Sequence, residues 1–221
     1  MRVCKYFVSL QTTVYTIPHY QARLQARTPV TMRVLTLHRA AFLGHCQRLE
    51  HLVADYDPDL VVAVARGGVY VAEHMFRQSH HVTVDCQRQT TAVKRRLHAL
   101  FAVVRLLPLW LRNRLRMAEA RRLSRKHTGQ PASVTLDSEV TAAVQRARRV
   151  LVVDDAIDSG ATMAGVLNAI SAISGPDNKV RTAVITVTTR QPLVTPDYAI
   201  YGDGDVLVRF PWSEDMRREK L

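Results

Sequence analysis

The hydrophobic residues of this chain fall into short continuous runs, separated by stretches in which they recur at helical spacing. Three of the runs are rich in β-branched residues and are bounded by turn-forming residues: 60–65, 150–153 and 180–188. Runs of this kind are typical of strands that are buried on both faces of a parallel sheet. Since they alternate with helical stretches, the pattern predicts an α/β fold with a doubly wound parallel sheet.

The same pattern predicts the remaining elements and one domain boundary. Further strands are expected over 80–85 and 206–210, and helices over 35–56, 69–78, 138–148 and 162–173. Residues 1–31 show no sustained period and are interrupted by Pro18 and Pro29. We therefore expect a loosely attached, disordered extension over 1–31 and one domain over 32–221; an edge strand over 5–15 is the alternative.

Charge is distributed very unevenly along the chain. Of the net charge of +12, the stretch from Cys86 to His127 supplies +11, with twelve Lys and Arg against the single acid Glu119. The body of the protein is thus nearly neutral and carries a basic insertion at about 86–130. The three cysteines are far apart and the N-terminus lacks a signal-peptide pattern, so a cytoplasmic location is expected.

The insertion combines apolar and basic residues in a pattern that leaves three interpretations open. Residues 97–111 are apolar apart from His98 and Arg105, and are too few to span a bilayer. Residues 97–126 favour a basic amphipathic helix: a hood packed on the domain or on a partner subunit, or a segment bound peripherally to an anionic membrane surface. Binding of nucleic acid is the third and less favoured interpretation, because only one aromatic residue, Trp110, lies near the arginines and could stack on bases.

Carboxylates and small residues follow the strand predicted at 150–153. Asp154 and Asp155 come first, and Asp158 precedes the run Ser159, Gly160, Ala161 and Thr162 at the start of a predicted helix. Backbone N–H groups at such a helix start bind phosphate, and paired carboxylates accept hydrogen bonds from vicinal hydroxyls or hold a metal.

A second group with suitable chemistry follows the strand predicted at 60–65. Arg66 and Gly67 offer a cation and an accessible backbone for a further anionic group. Ligands bind at the carboxyl ends of strands in open α/β sheets, where both groups are expected to lie. Together they predict a site for a ribose that carries phosphates.

Three stretches of the sequence carry a resemblance to a known family. The stretch 150–163, VLVVDDAIDSGATM, resembles the signature for 5-phosphoribosyl 1-pyrophosphate (PRPP) in type I phosphoribosyltransferases. It is most similar to the signature of the hypoxanthine, guanine and xanthine subgroup, which carries an acid at the position of Asp158. ARGGVYVA resembles that subgroup's pyrophosphate loop, and the tail TPDYAIYGDGDVLVRFPWSED resembles its purine-binding end. The resemblance covers roughly residues 32–215, apart from the insertion.

The resemblance implies a function and a role for each site residue. Asp154 and Asp155 would hold the ribose hydroxyls directly or through Mg²⁺, the loop 159–162 would bind the 5-phosphate, and Arg66 with Gly67 would contact pyrophosphate. Asp158 would take the proton of the attacking base nitrogen. The implied protein is a Mg²⁺-dependent glycosyltransferase of purine salvage, with PRPP and a base as substrates and a homo-oligomeric assembly.

The part of the sequence expected to bind the acceptor base departs from the subgroup's pattern. The base-recognising lysine is missing near the end of the strand at 180–188, where Thr188, Thr189 or Arg190 stands, and Leu207 replaces a stacking aromatic residue. Arg190 and Leu207 are therefore the candidate acceptor contacts, and the acceptor need not be a common purine. A non-catalytic regulator that senses PRPP or nucleotides, and binds nucleic acid through the basic segment, is the alternative function.

Overall fold

The computed structural model of the protein describes residues 33–76, 81–86 and 130–213. The extension expected at 1–31 lies outside these residues, and so do residues 87–129 of the basic insertion. The interpretations of both segments, including the hood, stay predictions. Within the described ranges, no helix has both the length and the apolar character needed to cross a membrane.

The described residues form strands and helices close to those predicted. The strands are β1 (Arg33–Thr36), β2 (Leu60–Val64), β3 (His81–Val84), β4 (Arg149–Ile157), β5 (Lys179–Val187), β6 (Tyr198–Tyr201) and β7 (Val206–Arg209). The α-helices are α1 (Arg39–Val53), α2 (Gly67–Met75), α3 (Ser138–Arg146) and α4 (Ala161–Ser171). A short 3₁₀ helix, Ala54–Tyr56, follows α1.

The main sheet has five strands in the order β3-β2-β4-β5-β6. Every neighbouring pair in it is parallel, and β4 lies at the centre between β2 and β5. β1 and β7 pair in parallel as a separate two-stranded sheet. The prediction of an α/β fold with a parallel sheet is thus confirmed.

Side chains of the central strands alternate between two hydrophobic clusters. On β4, Leu151 and Val153 join the cluster that contains the buried residues of α1 and α2. Val150 and Val152 join the cluster that contains the buried residues of α3 and α4. Helices thus cover both faces of β4, which explains why its sequence is an unbroken apolar run rather than an alternating one.

The structure differs from the predicted elements in three places. The helix predicted over 35–56 begins only at Arg39, because residues 33–36 pair with β7 instead. β4 extends to Ile157, four residues beyond its predicted end, because its pairing with β5 continues through the acidic residues. β6 was not predicted as a separate strand, although its four residues are mostly aromatic or aliphatic and pair with β5.

Tyr56 connects the end of the 3₁₀ helix to the two central strands. Its hydroxyl oxygen lies 2.7 Å from the carbonyl oxygen of Lys179 and 3.2 Å from that of Val150. The side chain is buried, and this burial raises the pKa of Tyr56 to about 12. The protonated hydroxyl therefore helps to hold the starts of β4 and β5 together.

We expect Tyr56→Phe to lower the free energy of unfolding at pH 7 by about 1–3 kcal/mol, because buried carbonyl groups lose their donor. In the wild type, an unfolded tyrosine ionises near pH 10 whereas folded Tyr56 stays protonated to about pH 12. Since the unfolded state then binds fewer protons, stability falls as pH rises through this window. Tyr56→Phe should lack that part of the decline.

Urea unfolding at pH 7, 9.5 and about 11 measures both effects. Tyr201→Phe is the matched control, because Tyr201 is only half-buried on β6 and its hydroxyl is bonded to the His45 side chain and not to a strand backbone. Parallel pH dependences in the wild type and Tyr56→Phe would contradict the role given to Tyr56.

Candidate functional site

The paired carboxylates lie inside β4 rather than in the loop after it. Asp154 is opposite Val184 of β5 and is only 8% exposed, whereas Asp155 is half-buried. One carboxylate oxygen of Asp154, Oδ1, accepts a hydrogen bond from the backbone N–H of Asp155 at 2.8 Å. Both acids are therefore part of β4, whose predicted end was residue 153.

The start of α2 is packed directly against these carboxylates. A side-chain carbon at Gly67 would overlap the carboxylate group of Asp155, and one at Gly68 would overlap the carbonyl oxygen of Val153. Arg66 is the exposed residue immediately before α2. Glycine is thus required at 67 for the close approach to Asp155, and Arg66 precedes it in the chain.

The connection from β4 to α4 ends in a glycine at the N-terminus of the helix. Gly160 has a φ of 81° and caps the N-terminus of α4. The hydroxyl oxygen of Ser159 accepts a hydrogen bond from the N–H of Ala161 at 3.1 Å. The first turn of α4 contains no acidic residue, so its N–H groups and its positive dipole end face no competing carboxylate from within that turn.

The backbone conformation and the close packing at position 160 both require glycine. At this φ an L side chain is strained, and a side-chain carbon would also meet the backbone nitrogens of Leu193 and Val194 at 2.8–3.0 Å. The backbone N–H of Leu193 donates to the carbonyl of Ser159 at 2.7 Å. The connection between β5 and β6 therefore packs against the loop 159–162, a contact that the sequence did not predict.

Asp158 is the exposed residue between the end of β4 and Ser159. Its carboxylate oxygen Oδ1 accepts a hydrogen bond from the hydroxyl of Thr188 at 2.7 Å, and Thr188 itself is buried. Sequence reasoning singled out both residues but did not connect them, because thirty positions separate them. The signal that pointed to Thr188 was the absence of the expected lysine from its region.

The candidate acceptor residues lie after β5 and on β7. Arg190 is exposed in the connection after β5, and Leu207 is half-buried on β7. The buried hydroxyl of Thr186 donates to the carbonyl of Val206 at 2.8 Å, which attaches the start of β7 to β5. This contact brings the strand that carries Leu207 next to β5, whereas the roles of Arg190 and Leu207 stay predictions.

An aromatic stack joins α2 to the chain after β7. Trp212 is stacked on Phe210, with ring centroids 4.9 Å apart, and on Tyr70 of α2, with centroids 4.7 Å apart. Phe42 of α1 meets the Trp212 ring edge-on at 5.0 Å. Sequence reasoning noted the Phe-Pro-Trp stretch only as part of the resemblance. The structure shows that it anchors the helix that begins at Gly67.

The described residues form an α/β protein in which a helix begins at a glycine of positive φ, shortly after a strand that carries two adjacent carboxylates. Residues 45–213 match the model of the phosphoribosyl transferase domain. The chain therefore belongs to the type I phosphoribosyltransferase family, as its sequence resemblance implies. A comparison with curated protein sequences gives no significant match.

Solved structures with the same fold include two named purine enzymes. The purine phosphoribosyltransferase of Pyrococcus horikoshii Ot3 is 19% identical, with a TM-score of 0.52 over 86% of this chain and 100% of that chain. The Helicobacter pylori xanthine-guanine-hypoxanthine phosphoribosyltransferase is 16% identical, with a TM-score of 0.51 over 83% and 95% of the two chains. At these identities the likeness shows the fold.

A third solved structure of the same fold is a hypothetical protein from Neisseria gonorrhoeae with bound ppGpp. It is 15% identical to this chain, with a TM-score of 0.52 over 82% of this chain and 90% of that chain. The fold shared by the three structures spans most of the present chain.

We expect Gly160→Ala to lower the free energy of unfolding by about 1–3 kcal/mol, because alanine is strained at this φ and its side chain meets the backbone at Leu193. Gly44→Ala is the matched control. Gly44 lies within α1, where an added side-chain carbon meets nothing within 4 Å. That substitution should raise stability by about 0.5–1 kcal/mol. Chemical denaturation of both variants measures the difference, and equal stability would contradict the loop geometry.

Proposed function

We propose that this protein transfers the 5-phosphoribosyl group of PRPP to a ring nitrogen of a purine-like base and releases pyrophosphate. The observation that carries the proposal is the meeting of three groups at the carboxyl ends of adjacent strands. These groups are the helix start after Gly160, the carboxylates of Asp154 and Asp155, and the start of α2 at Gly67. Their chemistry matches the two phosphate-bearing ends and the hydroxyls of PRPP.

Each part of PRPP has a proposed partner in this site. The 5-phosphate accepts hydrogen bonds from the loop formed by Ser159, Gly160, Ala161 and Thr162 at the N-terminus of α4. The ribose hydroxyls donate to Asp154 and Asp155. Arg66 and the backbone at Gly67 bind the pyrophosphate group. The overlap that a side chain at Gly67 would make with Asp155 supports this placement, because it puts the hydroxyl-binding and pyrophosphate-binding residues side by side.

The carboxylates at the end of β4 also fit Mg²⁺ shared with the substrate. Among the residues that the structure describes, no group of three or more His, Cys, Asp or Glu side chains is arranged to hold a metal alone. Mg²⁺ is commonly bound by one or two carboxylates together with substrate phosphates, and Asp154 and Asp155 offer oxygen ligands of that kind. Bound Mg²⁺ would neutralise part of the charge on the departing pyrophosphate.

The reaction forms a carbon–nitrogen bond at C1 of the ribose and breaks the bond from C1 to the pyrophosphate oxygen. Positive charge develops on the ribose and negative charge on the leaving group, which Arg66 stabilises. The attacking ring nitrogen must lose its proton, and Asp158, which is exposed at the edge of the site, accepts it as a general base. Arg190 and Leu207 are the proposed contacts of the acceptor base.

A second candidate function is a non-catalytic regulator that binds PRPP or a nucleotide. The Neisseria gonorrhoeae protein of the same fold holds ppGpp, which, like PRPP, presents phosphates on a ribose. In that case the basic segment would contact nucleic acid. Pyrophosphate release from PRPP and Mg²⁺ with a panel of purines and pyrimidines separates the two functions, because a regulator would bind PRPP without turnover.

Replacing both strand carboxylates should abolish Mg²⁺-dependent binding of PRPP. Asp154→Asn with Asp155→Asn removes charged acceptors for which each hydrogen bond contributes about 1.5–3 kcal/mol. Calorimetric titration with PRPP and Mg²⁺ measures the loss. Asp177→Asn is the control, since Asp177 is exposed between α4 and β5, at the end of the sheet where the parallel strands begin. Wild-type affinity in the double variant would show that the site is assigned wrongly.

Asp158→Asn should separate chemistry from binding. We expect turnover to fall by roughly 10²–10⁴, the usual contribution of a general acid–base group, while PRPP affinity changes only a few fold. The first is measured as pyrophosphate release with the best acceptor of the panel, and the second by calorimetry. Turnover equal to that of the wild type would remove Asp158 from the mechanism.

A further inference from the structure

We propose that Thr188 is a positioning residue for the general base: its buried hydroxyl holds the Asp158 carboxylate in the orientation that accepts the proton of the incoming base. The inference rests on the proposed phosphoribosyl transfer and deepens it, because the sequence resemblance marks Thr188 only as standing in the region where a base-recognising lysine is missing.

The sheet fixes the position of Thr188. It follows β5 directly, is 5% exposed, and its backbone N–H donates to the carbonyl of Ile157 at 2.9 Å. That bond continues the β4–β5 ladder beyond its last pair, Ile157 with Val187. The hydroxyl of Thr188 is therefore placed by the same hydrogen bonds that place the end of β4, and it has little freedom to move relative to Asp158.

The direction of the hydrogen bond follows from its chemistry. An ionised carboxylate has no hydrogen to give, so the Thr188 hydroxyl donates and Asp158 Oδ1 accepts, at 2.7 Å. Asp158 is exposed, and without this bond its side chain would distribute among several rotamers. Holding Oδ1 fixes the plane of the carboxylate and leaves its second oxygen, Oδ2, to meet the acceptor nitrogen.

The contacts around Thr188 extend this support to the neighbouring loop. In the same connection between β5 and β6, the N–H of Leu193 donates to the carbonyl of Ser159 at 2.7 Å. This connection therefore contacts three consecutive residues, Ile157, Asp158 and Ser159. Because both donors belong to one segment, the base is positioned relative to the loop proposed to bind the 5-phosphate.

The same bond removes Thr188 from the residues available to recognise the acceptor. Its one hydroxyl hydrogen is given to Asp158, so it cannot also donate to an exocyclic oxygen of the base. Of the residues in this region, Arg190 is exposed and carries several donors. Thr188 therefore acts through Asp158, and its effect should appear in turnover rather than in substrate binding.

Thr188→Val tests the proposal, because valine keeps the branched shape and deletes the hydroxyl. We expect kcat to fall by about 10–100-fold, the scale of a misplaced catalytic group, with KM and calorimetric Kd for PRPP within about threefold of the wild type. Thr188→Ser keeps the hydroxyl and should recover most of the lost kcat. A Thr188→Val enzyme with wild-type kcat would overturn the inference, and so would a loss of kcat that Thr188→Ser does not recover.

Thr182→Val is the matched control on the same strand. Thr182 is also buried and its hydroxyl donates to an aspartate, Asp197, at 2.9 Å, but it lies within β5, six residues before Thr188. It should reduce stability at least as much as Thr188→Val and leave kcat within about twofold of the wild type. An equal fall of kcat in both variants would show that general destabilisation, and not positioning, explains the effect.

A double variant shows whether Thr188 acts through Asp158. On the Asp158→Asn background, Thr188→Val should lower kcat by no more than about twofold further, because the group that it positions is already lost. Independent, multiplied losses would overturn the proposal. Failure of the proposed function is seen separately: wild-type protein that binds PRPP but releases no pyrophosphate with any base would overturn the transfer reaction, and the positioning role with it.

Discussion

The pairing of β4 with β5 is the constraint on which the rest of the site depends. The ladder joins Arg149–Ile157 to Lys179–Val187 and does not stop where the apolar run stops. It continues past Asp154, which faces Val184, and the backbone N–H of Asp155 is satisfied by the Asp154 side chain instead of by a neighbouring strand. The carboxylates therefore project from a rigid strand, and the loop that begins at Asp158 starts from a fixed point.

Placing two adjacent carboxylates at the end of a buried strand has an electrostatic cost, and the structure offsets part of it locally. Asp154 accepts a hydrogen bond from the N–H of Asp155. The Asp155 carboxylate lies against Gly67 at the N-terminus of α2, where the helix dipole stabilises negative charge. That position requires glycine at 67 because any side chain would displace the carboxylate. The start of α2, predicted to bind pyrophosphate, thus stabilises the charge of Asp155, an acid predicted to bind the ribose hydroxyls.

Sequence reasoning recovered the elements whose pattern is locally determined. β2, β4 and β5 are dense apolar runs, and helices on both sides of the sheet explain why such runs occur. β1 escaped prediction because its partner, β7, lies at the other end of the chain, and Leu35 happens to continue the helical spacing of α1. Asp154, Asp155, Arg66 and the loop 159–162 were predicted from their chemistry and position, whereas the roles of Asp158, Arg190 and Leu207 came from the family resemblance. The Thr188–Asp158 bond was not predicted, since it depends on the register of two strands rather than on either sequence stretch.

The residues proposed to bind PRPP and those proposed to bind the acceptor base belong to different strands. This separation explains how the first set can match the family's signature while the second departs from it. The residues proposed to bind PRPP lie near the end of β4 or follow β2 and β4, whereas the acceptor candidates follow β5 or lie on β7. β7 is attached to β5 through the bond from the Thr186 hydroxyl to the backbone carbonyl of Val206. A backbone acceptor is present whatever side chain stands at 206 or 207, so β7 side chains can differ without disturbing the β4–β5 ladder. An aliphatic Leu207 and an intact PRPP signature are therefore compatible in one fold, and Thr188, bonded to both Ile157 and Asp158, lies where the two halves meet.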